Sequence, residues 1–120
     1  MLESKHVGSN IVINLKGRLD VYSSASTENE INKLIEKNSG DNVVINMNDV
    51  EYISSTGLRI MIAIQTRLQE RGRTFHLCFL NSNVAKTFEV VGLIDIFDIY
   101  GTEEDAVQFD YTNSLLNAPD

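Results

Sequence analysis

Cysteine is almost missing from this sequence: Cys78 is the only one in 120 residues. That excludes an internal disulfide framework and fits a reducing compartment. Histidine occurs twice, at His6 and His76, and with the lone cysteine it gives no metal-site spacing, so no metal is expected. No apolar run approaches the roughly 20 residues of a membrane-spanning helix, and the opening Met1-Leu2-Glu3-Ser4-Lys5 has no signal-peptide core. The expectation is a soluble, cytoplasmic protein without membrane insertion. Basic residues are in the minority, ten against seventeen acidic, and the formal charge of −7 repels nucleic acid and anionic membranes. Arg59, Arg67, Arg71 and Arg73 do cluster. Without interleaved exposed aromatics they read as a solvated or partner-facing helix side, not as a nucleic-acid groove. Proline occurs once and 42 % of residues are hydrophobic, which predicts one domain over 1–110 that buries a core unaided, then a polar tail over 111–120.

Strand and helix patterns alternate along the chain. Residues 2–7 and Asn10–Lys16 predict two strands joined by a Gly8-Ser9 turn. A helix begins between Ser23 and Thr27, where Thr27-Glu28-Asn29-Glu30 has capping-box spacing. Ala25, Ile31, Leu34 and Ile35 are its inward positions, and Asn38–Asp41 stops it. Val43–Met47 is nearly continuous in apolar character, the mark of a strand covered on both faces. A helix runs from near Gly57 to Arg71, and residues 75–80 form a strand that encloses Cys78 and leaves its thiol unreactive. A helix capped at Ser82 turns Val84, Phe88 and Val91 inward and stops at Gly92. Leu93–Tyr100 reads as a last strand, and Thr102-Glu103-Glu104-Asp105 opens a final helix with acidic residues at its positive end. This order implies an α/β fold with a mixed, mainly parallel sheet. In open sheets of that kind, ligands and partners meet the loops beyond the carboxyl ends of the strands. Ser54–Gly57 lies at such an end, Gly17–Asp20 leaves another strand, and the topology allows the two to converge.

The segment Val50–Arg59 is the most informative. Ser54, Ser55 and Thr56 stand together at a strand-to-helix junction, where the first helical N–H groups lack intrahelical partners. Two readings stand: a helix cap, for which one hydroxyl suffices, or a surface that is read or modified, with Gly57 permitting close approach to the backbone. The helix that follows has Leu58, Ile60, Met61, Ile62, Ala63, Ile64 and Leu68 on more than one face. It is either tucked between the sheet and a neighbouring helix, or part of its first two turns is a contact surface beside Arg59. Catalysis is not expected. A serine nucleophile needs a base, neither histidine lies in an activating motif, and Gly-x-Ser-x-Gly and Gly-rich phosphate loops are absent. No cofactor is implied.

Gly17-Arg18-Leu19-Asp20, then Val43–Met47, Tyr52-Ile53-Ser54-Ser55-Thr56-Gly57-Leu58, and Phe88 with Gly92-Leu93 recur in the order and spacing of the STAS domain. Over roughly residues 5–108 the chain resembles that family, and in particular its free-standing bacterial anti-sigma factor antagonists. The resemblance implies a mixed, mainly parallel sheet of four to five strands with about four helices packed mostly on one side. It implies binding to an anti-sigma factor that is a serine kinase of the histidine-kinase-like ATPase superfamily, with release of a sigma factor. It also implies phosphorylation by that kinase, which abolishes binding, and reversal by a metal-dependent serine phosphatase. The acceptor serine falls on Ser55, with Thr56 second and Ser54 third. The implied partner contacts are Asp20, Ser54, Ser55, Thr56, Gly57, Arg59 and Ile62. One residue departs from the family pattern: Ser54 stands where an aspartate is usual, which removes a carboxylate from the contact surface. Two alternatives remain: a non-enzymatic STAS scaffold subunit of a stress-signalling assembly or lipid transporter, without a phosphoswitch, and a domain that binds a nucleotide or other small ligand at the Asp20/Ser55 end.

Overall fold

Three consecutive strand–helix–strand units and one hairpin build the sheet. The structure, a computed structural model, describes residues 2–107. The sequence predicts a tail over 111–120, and that segment lies outside the described residues. Strands β1 (Glu3–Val7) and β2 (Asn10–Leu19) form the hairpin, with Val7 opposite Asn10 across the Gly8-Ser9 turn. Gly8 has φ +62°, a conformation that glycine adopts without steric cost. Helix α1 (Ser24–Lys37) leads to β3 (Asn42–Ile53), α2 (Ser55–Glu70) to β4 (Phe75–Cys78), and α3 (Ser82–Val90) to β5 (Asp98–Tyr100). The strands lie in the order β1-β2-β3-β4-β5, antiparallel at the hairpin and parallel elsewhere. Residues 103–107 begin a fourth helix, α4, at the limit of the described residues, with the Thr102 hydroxyl accepting from the Asp105 N–H at 3.1 Å.

Helices cover the sheet unequally. Ile11, Ile13, Leu15, Val43, Ile45, Met47, Phe75 and Leu77 point to one face, where Ile31 and Ile35 of α1, Met61, Ile64 and Leu68 of α2, and Val84 and Phe88 of α3 bury them. The alternate residues Val12, Val44 and Cys78 face the other side, against Ala106 of α4. The central strand is therefore covered on both faces, as its continuous apolar run requires. His76 belongs to that second face and is buried, its Nδ1 3.1 Å from the Ala106 carbonyl. No helix among the described residues is long and apolar enough to cross a membrane.

The structure corrects several local expectations. β3 extends six residues past Met47 because two register shifts against β2 each insert an extra residue: 14 to 16 opposes 46 to 49, and 17 to 18 opposes 50 to 52. Its inward residues thus change from 43, 45, 47 to 47, 50, 53, so Val50 and Ile53 stay in the core although the alternation is broken. α1 starts at Ser24, within the expected interval, but Ala25 is exposed and its neighbour Ser24 takes the inward place. Helix α3 is capped by Asn81, not Ser82. The Asn81 amide group accepts from the Val84 N–H at 2.9 Å through its oxygen and donates to the Val50 carbonyl at 2.7 Å through its nitrogen, so the cap is also tied to β3. Val91 is 48 % exposed; past Gly92 (φ +75°) the chain turns back, with the Leu93 N–H on the Phe88 carbonyl. β4 ends at Cys78 because Phe79 leaves extended conformation at φ +57°. The predicted strand from Leu93 is only Asp98–Tyr100, since the residues before it form turns that lower Phe97 into the core, edge-on to Phe88 at 5.5 Å. Three of the clustered arginines are engaged within the chain although only one is buried: half-buried Arg67 donates to Asn32, exposed Arg71 pairs with Glu36 at 2.8 Å, and buried Arg73 donates to the carbonyls of Asn38 and Asp41. These bonds tie α2 and its exit to α1 and leave Arg59 as the member without a partner among the described residues.

Burial pushes the Cys78 thiol up to about 12, far from the range of a reactive thiolate. The native chain should react with a thiol-specific disulfide reagent at least about a hundredfold more slowly than the urea-unfolded chain. Equal rates would place Cys78 outside the core.

Candidate functional site

The carboxyl ends of β2 and β3 lie side by side, Leu19 opposite Ile53, and the chain leaves each strand into a loop. Both side chains are buried, so Asp20 and Ser54 are the first residues to emerge. The two loops meet on one atom. The Leu19 carbonyl accepts from the Ser54 backbone N–H at 2.8 Å and from the Ser54 hydroxyl at 3.0 Å. Ser54 is extended (φ −91°, ψ 173°) and its Oγ in turn accepts from the Gly57 N–H at 3.2 Å, the geometry of an N-cap. Of the three consecutive hydroxyls, Ser54 is thus the structural one. The capping reading falls on Ser54 and leaves the hydroxyls of Ser55 and Thr56 outside the cap.

Ser55 is the first residue of α2 and is exposed, and its hydroxyl has no hydrogen bond among the described residues. Thr56 is half-buried. Gly57 is buried, and the reason for glycine there lies inside the fold. A Cβ would stand 2.8 Å from Cγ1 of Ile53 and 2.9 Å from the Leu19 carbonyl oxygen, so only glycine lets the first turn of α2 settle on the end of β2. The close approach expected from another molecule is made by this chain's own backbone. Arg59, one turn beyond Ser55, is exposed; Ile62, a further turn along, is half-buried against the core. The helix is mostly the tucked kind, with Leu58, Met61, Ile64 and Leu68 inward and Ile60 half-buried in the crevice beside α1.

Asp20 makes a turn of its own. Its Oδ1 accepts from the N–H groups of Tyr22 at 3.0 Å and Ser23 at 3.1 Å, and its carbonyl accepts from the Ser24 N–H. This carboxylate therefore supports the start of α1, while Ser23, at the cap position, makes no capping bond. The Ser23 N–H is the main reason that the Asp20 carboxyl titrates below its usual range; burial opposes, and Tyr22, the Ser23 hydroxyl and Arg18 assist. The Ser23 hydroxyl donates to the Arg18 carbonyl at 2.5 Å and locks the turn to β2.

Four surface residues at this end were not legible as site residues. Arg18 lies 4.3 Å from the centroid of the Tyr52 ring, and its Nε is 3.8 Å from Asp20 Oδ2. Val21 and Tyr22 are 65 % and 92 % exposed at the tip of the Asp20 loop. The signal for that pair was present: two large apolar-bodied residues between the last inward residue of β2 and the first of α1, belonging to neither periodicity. The crevice beneath, lined by Leu19, Ser24, Thr27, Gly57, Ile60 and Met61, encloses no volume for a small molecule. His6 sits beside Asp41 at the opposite end of β2, and His76 is held beneath α4, so neither histidine is brought to the serines. What the geometry presents is a firm surface, with an unengaged hydroxyl, a cation and aromatic rings, suited to contact with another protein.

Comparison with known proteins agrees with this layout. A family model described as STAS domain matches residues 1–106. The anti-sigma-B factor antagonist of Bacillus subtilis (strain 168) is 30 % identical over 107 residues, which is 89 % of this chain and 96 % of that protein. Among solved structures, an anti-sigma factor antagonist from Mycobacterium paratuberculosis superposes with a TM-score of 0.80 at 22 % identity, over 90 % of this chain and 91 % of that one. The Bacillus cell fate determinant SpoIIAA in its phosphorylated form gives a TM-score of 0.65 at 20 % identity, over 90 % of this chain and 97 % of its own.

Replacing Ser54 by alanine removes the cap and one donor to Leu19, and should cost about 1 kcal/mol in urea denaturation, within a range of roughly 0.5–2. Ser55→Ala should stay within about 0.5 kcal/mol of the native chain. Gly57→Ala should cost about 1–3 kcal/mol through the contacts with Ile53 and Leu19. A Ser55→Ala loss as large as that of Ser54→Ala would reverse the assignment of the cap.

Proposed function

The chain belongs to the STAS domain family, and we propose that within it the protein is an anti-sigma factor antagonist controlled by phosphorylation of Ser55. The observation that carries the reading is the division of labour at the start of α2: Ser54 is consumed by the cap, Thr56 is half-buried, and Ser55 is exposed with an unengaged hydroxyl. The anti-sigma-B factor antagonist of Bacillus subtilis supports the role, and a phosphorylated form of SpoIIAA, a protein of the same fold, supports the modification. In the cytoplasm the unmodified protein binds an anti-sigma factor, a serine kinase of the histidine-kinase-like ATPase superfamily, and a sigma factor is released. The role is one of binding, not catalysis.

The kinase makes the switch. The Ser55 oxygen forms a bond to the γ-phosphorus of ATP, the bond from that phosphorus to the β–γ bridging oxygen breaks, ADP leaves, and the hydroxyl proton passes to a base of the kinase. A serine phosphatase of the metal-dependent type returns phosphate to water. The new group sits at the positive end of α2, where helical N–H groups and the dipole favour negative charge, so the domain stays folded. The effect falls on the contact surface, which gains nearly two negative charges that a partner must desolvate. An unpaired charge in an interface costs several kcal/mol, and a hundred- to thousandfold loss of affinity needs only about 3–4. The serine at position 54 fits this scheme. Aspartate and serine are both strong N-caps, so Ser54 keeps the helix start and removes one carboxylate beside the acceptor. Asp20, Thr56, Gly57, Arg59 and Ile62 complete the proposed contact region. Gly57 contributes by seating the helix, and Asp20 by fixing the loop that presents Val21 and Tyr22.

Incubation with ATP and the partner kinase from the same genome should place one phosphate on the native chain and none on Ser55→Ala. Ser55→Ala should bind that kinase as tightly as the unmodified chain, and Ser55→Asp about a hundredfold more weakly. Phosphate on Thr56 or Ser54 in the alanine variant would move the acceptor off Ser55 and remove this reading, whereas no phosphate on the native chain, or unchanged affinity of Ser55→Asp, would favour the fixed scaffold.

A further inference from the structure

Arg59 differs from the other four arginines of the chain. Arg67, Arg71 and Arg73 are bonded to α1 and its exit, and Arg18 is engaged with the Tyr52 ring and Asp20. Arg59 is exposed, and no carboxylate among the described residues lies within ion-pair distance of it. Its position is unfavourable for a cation. It stands in the second turn of α2, close to the positive helix end, and the first turn carries no acidic residue. Two positive features therefore face solvent together with no anion on either.

Ser55 and Arg59 are four residues apart on one helix, the spacing at which side chains are neighbours on the same face, with Cβ atoms about 5–6 Å apart. The order, anion nearer the N-terminus and cation one turn later, is the favourable one. Resting on the reading of Ser55 as phosphoacceptor, we propose that Arg59 is the intramolecular counter-ion of the phosphate on Ser55, so that modification withdraws from the contact surface the cation it carried before. The guanidinium fork matches two phosphate oxygens and stays charged at any pH the protein meets. The switch then has two components with one cause. A partner that reads Arg59 through a carboxylate loses that contact at the moment it meets the new dianion. The pairing also tightens the start of α2, which agrees with a modification that leaves the fold intact.

The test uses full-length protein with phosphoserine installed at position 55 during translation, alone and with Arg59→Gln or Arg18→Gln. Phosphorus NMR follows the second ionisation of the phosphate through a pH titration, with circular dichroism confirming the fold of each variant. With Arg59 present, that ionisation should fall about 0.2–0.4 of a pH unit below its value in Arg59→Gln, the equivalent of one helical ion pair. Arg18→Gln should titrate like the native chain. The difference should shrink at about 1 M salt, where the screening length is near 3 Å. Identical titrations for the native chain and Arg59→Gln, or an ionisation moved by Arg18→Gln instead, would overturn the proposal. The phosphate is supplied without any kinase, so this failure is distinct from an absence of phosphate on Ser55 in cells, which would overturn the functional reading and with it the regulatory role of the pair, whatever the titration shows.

Discussion

The carbonyl oxygen of Leu19 is the point on which this end of the molecule depends. It ends β2, accepts both the N–H and the hydroxyl of Ser54, and lies where a Cβ on Gly57 would collide. A buried carbonyl left without donors costs about as much as a lost hydrogen bond, so the chain has a strong reason to bring the end of β3 here. Once Ser54 is fixed, its Oγ caps α2, Gly57 seats the first turn, and Ser55 is turned outward as the next residue. The Asp20 loop starts from the same atom and is closed by its own carboxylate on the N–H groups of Tyr22 and Ser23. Two loops from adjacent parallel strands are thus held as one rigid surface by hydrogen bonds of the chain itself.

That rigidity suits a switch that works by charge. A modification that depended on remodelling the loops would have to break the Leu19 bonds and the Asp20 turn, whereas a phosphate on Ser55 touches neither. The helix start tolerates the anion, and the partner meets it. The same division explains how a serine can stand at position 54. What position 54 must supply is a side-chain oxygen at a cap, and a hydroxyl does so as well as a carboxylate. The net charge near the acceptor changes while the geometry that presents it does not.

The fold was legible because strand and helix periods are local properties. The parallel order, the hairpin turn at Gly8-Ser9 and the two-sided burial of Val43–Met47 follow from residues read within a few positions of one another. The errors occur where a distant contact decides. The bulges of β3 are invisible in sequence because Val50 and Ile53 keep their apolar character while their spacing changes from two to three. Asn81 displaces Ser82 as a cap through a bond to Val50, 31 residues away. The start of α1 was read only to within Ser23–Thr27, and the Asp20 turn decides it at Ser24. Arg67, Arg71 and Arg73 looked like a charged face until the packing of α1 on α2 gave each a partner. At the site, the hydroxyl run was evident from sequence, but which hydroxyl caps and which is exposed needed the position of Leu19. Tyr22, Val21 and the stacking of Arg18 on Tyr52 needed the loop geometry.

The central claim is that the hydroxyl which the fold leaves both exposed and unengaged is the one the cell modifies. Intact-mass measurement and peptide mapping of this protein, purified from its own host in growth and under stress, test it most directly. The account predicts a single phosphate on Ser55 whose occupancy changes with condition, and none on Ser54. A chain without phosphate in every condition, or with phosphate on the capping serine, would contradict it.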